Sequence, residues 1–176
     1  MTIFFPDNEF VVLHRAKGHL YIFVQAFYEG SHSKGRRLNL ILDTGAYVTV
    51  LSRRTAIRCG YDKLPLKEVT INGFGGNGEP ADAVRIPGLK ILNKLVTDVP
   101  VLIPHRKDLT QEVLGLNVLE YFNYYVDTEN SRLYLKLNPN PQSYDPIIAC
   151  GQIFTLASDG IDKPKINKNG IDSQQS

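Results

Sequence analysis

Cysteine is scarce: the 176 residues contain only two, Cys59 and Cys150. Two cannot make a disulfide framework, and no CxxC or His/Cys grouping offers a zinc site. Both read as small buried hydrophobes rather than nucleophiles. The four histidines, His14, His19, His32 and His105, lack ligand spacing, so neither a metal nor any other cofactor is implied. Long apolar runs are missing as well. Nothing approaches the roughly 18 uncharged residues that span a bilayer. Residues 146–158 come nearest, and Gly151 and Gln152 interrupt them. The N-terminal stretch MTIFFPDNEF has no basic leader, apolar run or small-residue cleavage site, so a cytoplasmic protein away from membranes is expected. A strong charge bias is also absent, the 22% of charged residues being ordinary for a globular protein. A net charge of +2 is too weak a bias to argue for a nucleic-acid partner. The densest basic stretch, residues 34–37, lies in a Gly/Ser-rich segment and is expected to be a solvated loop. The glycine cluster at 73–78 is not followed by Lys-Ser/Thr, which argues against a phosphate loop. There is no internal repeat.

What is present is a pattern of short strands over a real core, with 43% hydrophobic residues, nine Tyr and eight Phe. Residues 19–28 alternate and are rich in β-branched and aromatic side chains, which predicts a half-buried strand. Residues 38–42 are apolar except for Asn39, as in a strand buried on both faces. Residues 47–51 resume that run. Ser52 and Gly60 bracket a short helix over 52–59 as cap and stop. Residues 68–72 and 83–86 flank the glycine cluster as a hairpin, and 88–91 and 95–103 are two further strands. Residues 112–122 start as a strand, turn at Gly115 and become a short helix. Residues 124–127 and 132–137 form a second hairpin, in which Asp127 is a turn residue. Asn138-Pro139-Asn140-Pro141 reads as a linker, 152–156 as a possible added strand, and the polar stretch from Ser158 as unstructured. One domain over 1–137 with an extension over 138–176 follows. Many strands with little helix indicate an all-β fold, closed or partly open.

The chemistry sits at Asp43-Thr44-Gly45. A buried apolar strand runs straight into a carboxylate, a hydroxyl and a glycine. Ionising Asp43 there costs desolvation energy unless donors surround it. Thr44 can fix the local backbone, and Gly45 permits a tight turn with amides aimed at the acid. A strand end with an ordinary turn gives the same three residues, so the flanks carry the weight. Ile41-Leu42 before the triplet and Ala46-Tyr47-Val48-Thr49-Val50-Leu51 after it fit one pattern.

That pattern resembles the retropepsin family of aspartic peptidases, in which two apolar residues precede Asp-Thr/Ser-Gly-Ala and a β-branched stretch follows. Two further features fall in the family's order. Ile71-Asn72-Gly73-Phe74-Gly75-Gly76 is similar to the flap that closes over substrate. Val113-Leu114-Gly115-Leu116-Asn117-Val118-Leu119 is similar to the element before a short helix, with Asn117 where many relatives have Asp. The resemblance spans roughly residues 18 to 137 and implies a closed β-barrel with a short helix after the Gly115 turn. It implies an endopeptidase whose two carboxylates share one proton around a water, because two like charges about 3 Å apart cannot both ionise. One chain carries one Asp-Thr-Gly, so the resemblance implies a homodimer with its two Asp43 residues apposed. In it Asp43, Thr44 and Gly45 are catalytic. Ala46, Ile71, Gly73, Phe74, Gly75 and Gly76 line the site of an extended peptide or protein substrate, the chain itself being one candidate. The lone Asp and the unmatched tail leave two alternatives open. One is a peptide-binding or dimerisation module on the same fold; the other is an unrelated small barrel.

Overall fold

The computed structural model describes residues 9–28, 35–71 and 78–141. Eleven strands alternate with two short helices: β1 (Phe10–Val12), β2 (His14–Ala16), β3 (His19–Phe27), β4 (Arg36–Leu42), β5 (Thr49–Val50), α1 (Arg53–Cys59), β6 (Leu66–Ile71), β7 (Glu79–Ile91), β8 (Lys94–Pro104), β9 (Val113–Leu114), α2 (Leu116–Leu119), β10 (Phe122–Asp127) and β11 (Arg132–Leu137). A single 3-10 turn at Tyr61–Lys63 follows α1. No helix among these residues is long and apolar enough to cross a membrane.

The main sheet runs β2-β3-β4-β9-β5-β8-β7-β6, and a further β3–β7 pairing joins it to itself. The ring β3-β4-β9-β5-β8-β7 is therefore a closed six-stranded barrel, as the resemblance implied. Closure gives every strand of the ring a neighbour on both sides, while β2 and β6 flank it as edge strands. The alternation read from the sequence fills it. Ile22 and Val24 of β3, Leu38 and Leu40 of β4, Ile86 and Leu89 of β7, and Val99 and Val101 of β8 all enter one core. A second sheet, β1-β11-β10, sends Leu133 and Leu135 into the same core.

The helices fall where local chemistry puts them. The Ser52 hydroxyl accepts the Thr55 N–H at the start of α1, and Gly60 ends the helix at φ +75°. The chain turns at Gly115 and enters α2 directly. The second hairpin, β10–β11, is also as read. Asp127 accepts from the Asn130 N–H and side-chain amide, which holds its carboxyl below the usual range.

Two expectations need correction, and two strands were not foreseen. Arg36 and Arg37 are not loop residues: they open β4, opposite Ala26 and Gln25 of β3. The Arg37 guanidinium lies 3.7 Å from the Phe23 ring centroid, an attraction that favours the extended strand. Residues 83–86 and 88–91 are not separate strands but parts of β7, which runs straight through Pro87. The register places Ile86 opposite Val99 and Gly88 opposite Thr97, so Pro87 faces Asp98. Proline brings no N–H to that position. The Arg85 guanidinium donates instead to the Asp98 carbonyl at 3.1 Å, and to its carboxylate at 2.8 Å. Finally, β1 and β2 went unread, because strands of three residues carry no periodicity. The expected strand at 152–156 and the tail lie outside the described residues.

Candidate active site

Asp43 stands where β4 ends, and its turn is tied down on both sides. Upstream, Ile41 donates to the Glu112 carbonyl at 2.8 Å, and Asp43 to the Leu114 carbonyl at 3.1 Å. These bonds continue the parallel β4–β9 ladder past its last paired residues. Within the turn, the Gly45 N–H donates to Asp43 Oδ1 at 2.9 Å. A side chain at Gly45 would begin 3.3 Å from that same oxygen, so glycine keeps the carboxylate accessible to the amide. Downstream, the first amides of α2 are spent on the turn: Leu116 donates to the Ala46 carbonyl at 2.8 Å and Asn117 to the Tyr47 carbonyl at 3.0 Å. Asp43 is half-buried, while Thr44 and Gly45 are exposed at the rim.

Beneath the turn lies a buried polar knot. Asn117 Oδ1 accepts from the backbone and the hydroxyl of Thr49, and its Nδ2 donates to the Pro100 carbonyl. The Thr49 hydroxyl in turn accepts the Gly115 N–H at 3.1 Å. Every polar group here has a partner, the condition under which such a knot fixes a single geometry. Gly115 itself admits no side chain, since a Cβ would lie 2.6 Å from the Val48 carbonyl carbon. A second tie is Glu112, whose carboxylate accepts both the N–H and the hydroxyl of Ser52 and so joins the start of α1 to β9.

The β6–β7 hairpin packs over the strand that leaves the turn. Val69, Ala81 and Ala83 are buried against Val48 and Leu102, with Ile71 and Val50 packed alongside. Of the residues expected in the site, Asp43, Thr44, Gly45 and Ala46 share one turn, and Ile71 packs against the cluster that contains Val48. Gly73, Phe74, Gly75 and Gly76 lie outside the described residues. Sequence reasoning missed Glu112 and its bond to Ser52, which no local pattern signals. It named Thr49 and Asn117 only as motif members. Among the described residues no group of three or more His, Cys, Asp or Glu is arranged to hold a metal. A surface groove bounded by Leu116, Phe122, Tyr124 and Asn138 shares no residue with the Asp43 turn or the hairpin.

This fold has counterparts among known proteins. A crystal structure of a retropepsin-like aspartic protease from Rickettsia conorii superposes with a TM-score of 0.52 at 22% identity, covering 72% of this chain and 87% of that one. EIAV protease complexed with the inhibitor HBY-793 gives 0.44 at 20% identity, over 61% of this chain and 90% of that one. The retroviral protease-like domain of Ddi1 from Leishmania major gives 0.44 at 15% identity, over 72% and 98%. No curated protein matches the chain in sequence. The family described as gag-polyprotein putative aspartyl protease matches residues 32–121, just over half of the chain, including the Asp43 turn, the hairpin and the Gly115 element. The fold is thus retropepsin-like, and the chain belongs to the gag-polyprotein aspartyl protease family.

Proposed function

We propose that this chain is an aspartic endopeptidase assembled from two copies, each lending one Asp43 to a shared dyad. The observation that carries this is the single Asp-Thr-Gly turn, bonded from both sides and roofed at its exit strand by the β6–β7 hairpin. One carboxylate per chain needs a twin, and a twofold axis beside the turn supplies it. The ionised acid takes a proton from a water held between the two, and the neutral acid donates to the oxygen of the scissile carbonyl. In this reading Thr44 joins the two turns across the axis and Gly45 aims its amide at the acid. Ala46, Ile71 and Gly73 to Gly76 bound the peptide, which lies extended beneath the hairpin. Residues 1–137 form the peptidase unit and 138–176 an extension to it.

The test is Asp43→Asn. It should abolish peptide cleavage and leave the melting temperature within a few degrees of the parent. Undiminished cleavage refutes the assignment. The lone carboxylate also favours a second reading, a module that holds extended peptides without cutting them. Sedimentation at micromolar concentration separates the two, since a strict monomer cannot form the dyad.

A further inference from the structure

The β6–β7 hairpin carries an acid on the face that packs toward the Asp43 turn. Its register sets Val69 opposite Ala81 and Ile71 opposite Glu79. Side chains two residues apart in a strand leave the sheet on the same face. Glu79 therefore shares a face with Ala81 and Ile71, the one packed against Val48 and Val50 just beyond the catalytic turn. It lies one step nearer the hairpin tip than Ala81.

Its chemistry is unbalanced. Glu79 Oε1 is out of contact with water and has no hydrogen-bond donor among the described residues. The side chain as a whole is 30% exposed, so part of it meets solvent although Oε1 does not. The cation beside it is Arg106, whose Nε stands 3.7 Å from Oε1, near enough for attraction but too far for a hydrogen bond. Arg106 spends that Nε, and Nη2, on Asp108 at 2.9 and 3.0 Å. Glu79, Arg106 and Asp108 together hold one negative charge in excess. A dry carboxylate oxygen lacking a donor is a costly arrangement, and a ligand that brings a charged donor relieves it.

We infer that Glu79 is a specificity-determining residue that receives the side chain of a lysine or arginine in the peptide. The inference rests on the cleft assignment made above. A peptide N–H is a weaker match, because a neutral donor leaves the excess charge uncompensated.

The experiment uses the full chain and paired peptides that differ only by lysine or norleucine at each position in turn, with cleavage followed by mass spectrometry. At one position the parent should prefer lysine over norleucine in kcat/KM by about tenfold. Glu79→Gln keeps an acceptor and loses the charge, and should bring that ratio close to one. Glu79→Lys should favour glutamate at the same position. No basic preference in the parent, or one that survives Glu79→Gln, overturns the inference. Anisotropy titration of the same peptides on Asp43→Asn reads selectivity without catalysis. Lysine selectivity on a protein that never cleaves refutes the peptidase reading alone. Cleavage without that selectivity refutes the role of Glu79 alone.

Discussion

Asn117 Oδ1 accepts two hydrogen bonds from Thr49, at 2.8 Å from its N–H and 3.0 Å from its hydroxyl, while Nδ2 donates to the Pro100 carbonyl at 2.7 Å. An aspartate here keeps the first two bonds and sets a bare oxygen against the Pro100 carbonyl, unless it is protonated. Asn117→Asp should therefore cost about 1–3 kcal/mol at neutral pH. Folding raises the pKa of the new acid, so its stability contribution is fullest below the unfolded value and is lost as pH rises through the folded one. Thermal melts should show a deficit that is large at pH 7 and small at pH 4. A deficit equal at both values contradicts this account.

Gly115→Ala forces a methyl group to within 2.8 Å of the Val48 carbonyl oxygen and 2.9 Å of that of Ala46. Backbone on both sides cannot give way as a flexible side chain would. The expected loss is about 1–3 kcal/mol or more in urea unfolding, the range for an overpacked core. Tolerance of the change without loss would mean that α2 does not clamp the turn.

Tyr61 is fully buried, and its hydroxyl donates to the Phe27 carbonyl at 2.6 Å. Tyr61→Phe strands that carbonyl and should cost about 1–2 kcal/mol. Burial pushes the phenol far above its ordinary value of about 10. A raised folded pKa stabilises the fold below the unfolded value and withdraws that support as pH climbs past it. The parent should lose stability above pH 10 more steeply than Tyr61→Phe does. Parallel alkaline denaturation curves would argue against this assignment.

Cys59 is buried on the core side of α1, and desolvation raises its thiol pKa. In a Cys150→Ser background it should react with a chromogenic disulfide reagent only in denaturant, because the thiolate is the reactive form. Rapid reaction of the native protein would show that α1 opens.

The parts of the fold legible in the sequence are those set by neighbours in the chain. The Asp43 turn announced itself because an apolar strand ended in an acid and a glycine. The limits of α1 followed from Ser52 and Gly60, and the β10–β11 hairpin from its polar turn. What stayed hidden depends on distant partners. β1 exists only because Phe10, Val11 and Val12 pair with Tyr134, Leu133 and Arg132. Pro87 looks like a strand breaker until Arg85 is seen to serve the opposing carbonyl. Glu79 gains meaning only from a register that no local pattern announces.

The bonds that anchor the Asp43 turn come from far down the chain: Asn117 reaches back across 68 residues to Thr49. During synthesis the acid leaves the ribosome well before its anchors do. A nascent chain that ends short of residue 112 carries the Asp-Thr-Gly triplet but neither the Glu112 and Leu114 carbonyls nor the α2 amides that shape it. Under the proposed function, latency is thus written into the order of the segments, because a fragment cut before residue 112 lacks the groups that shape the turn.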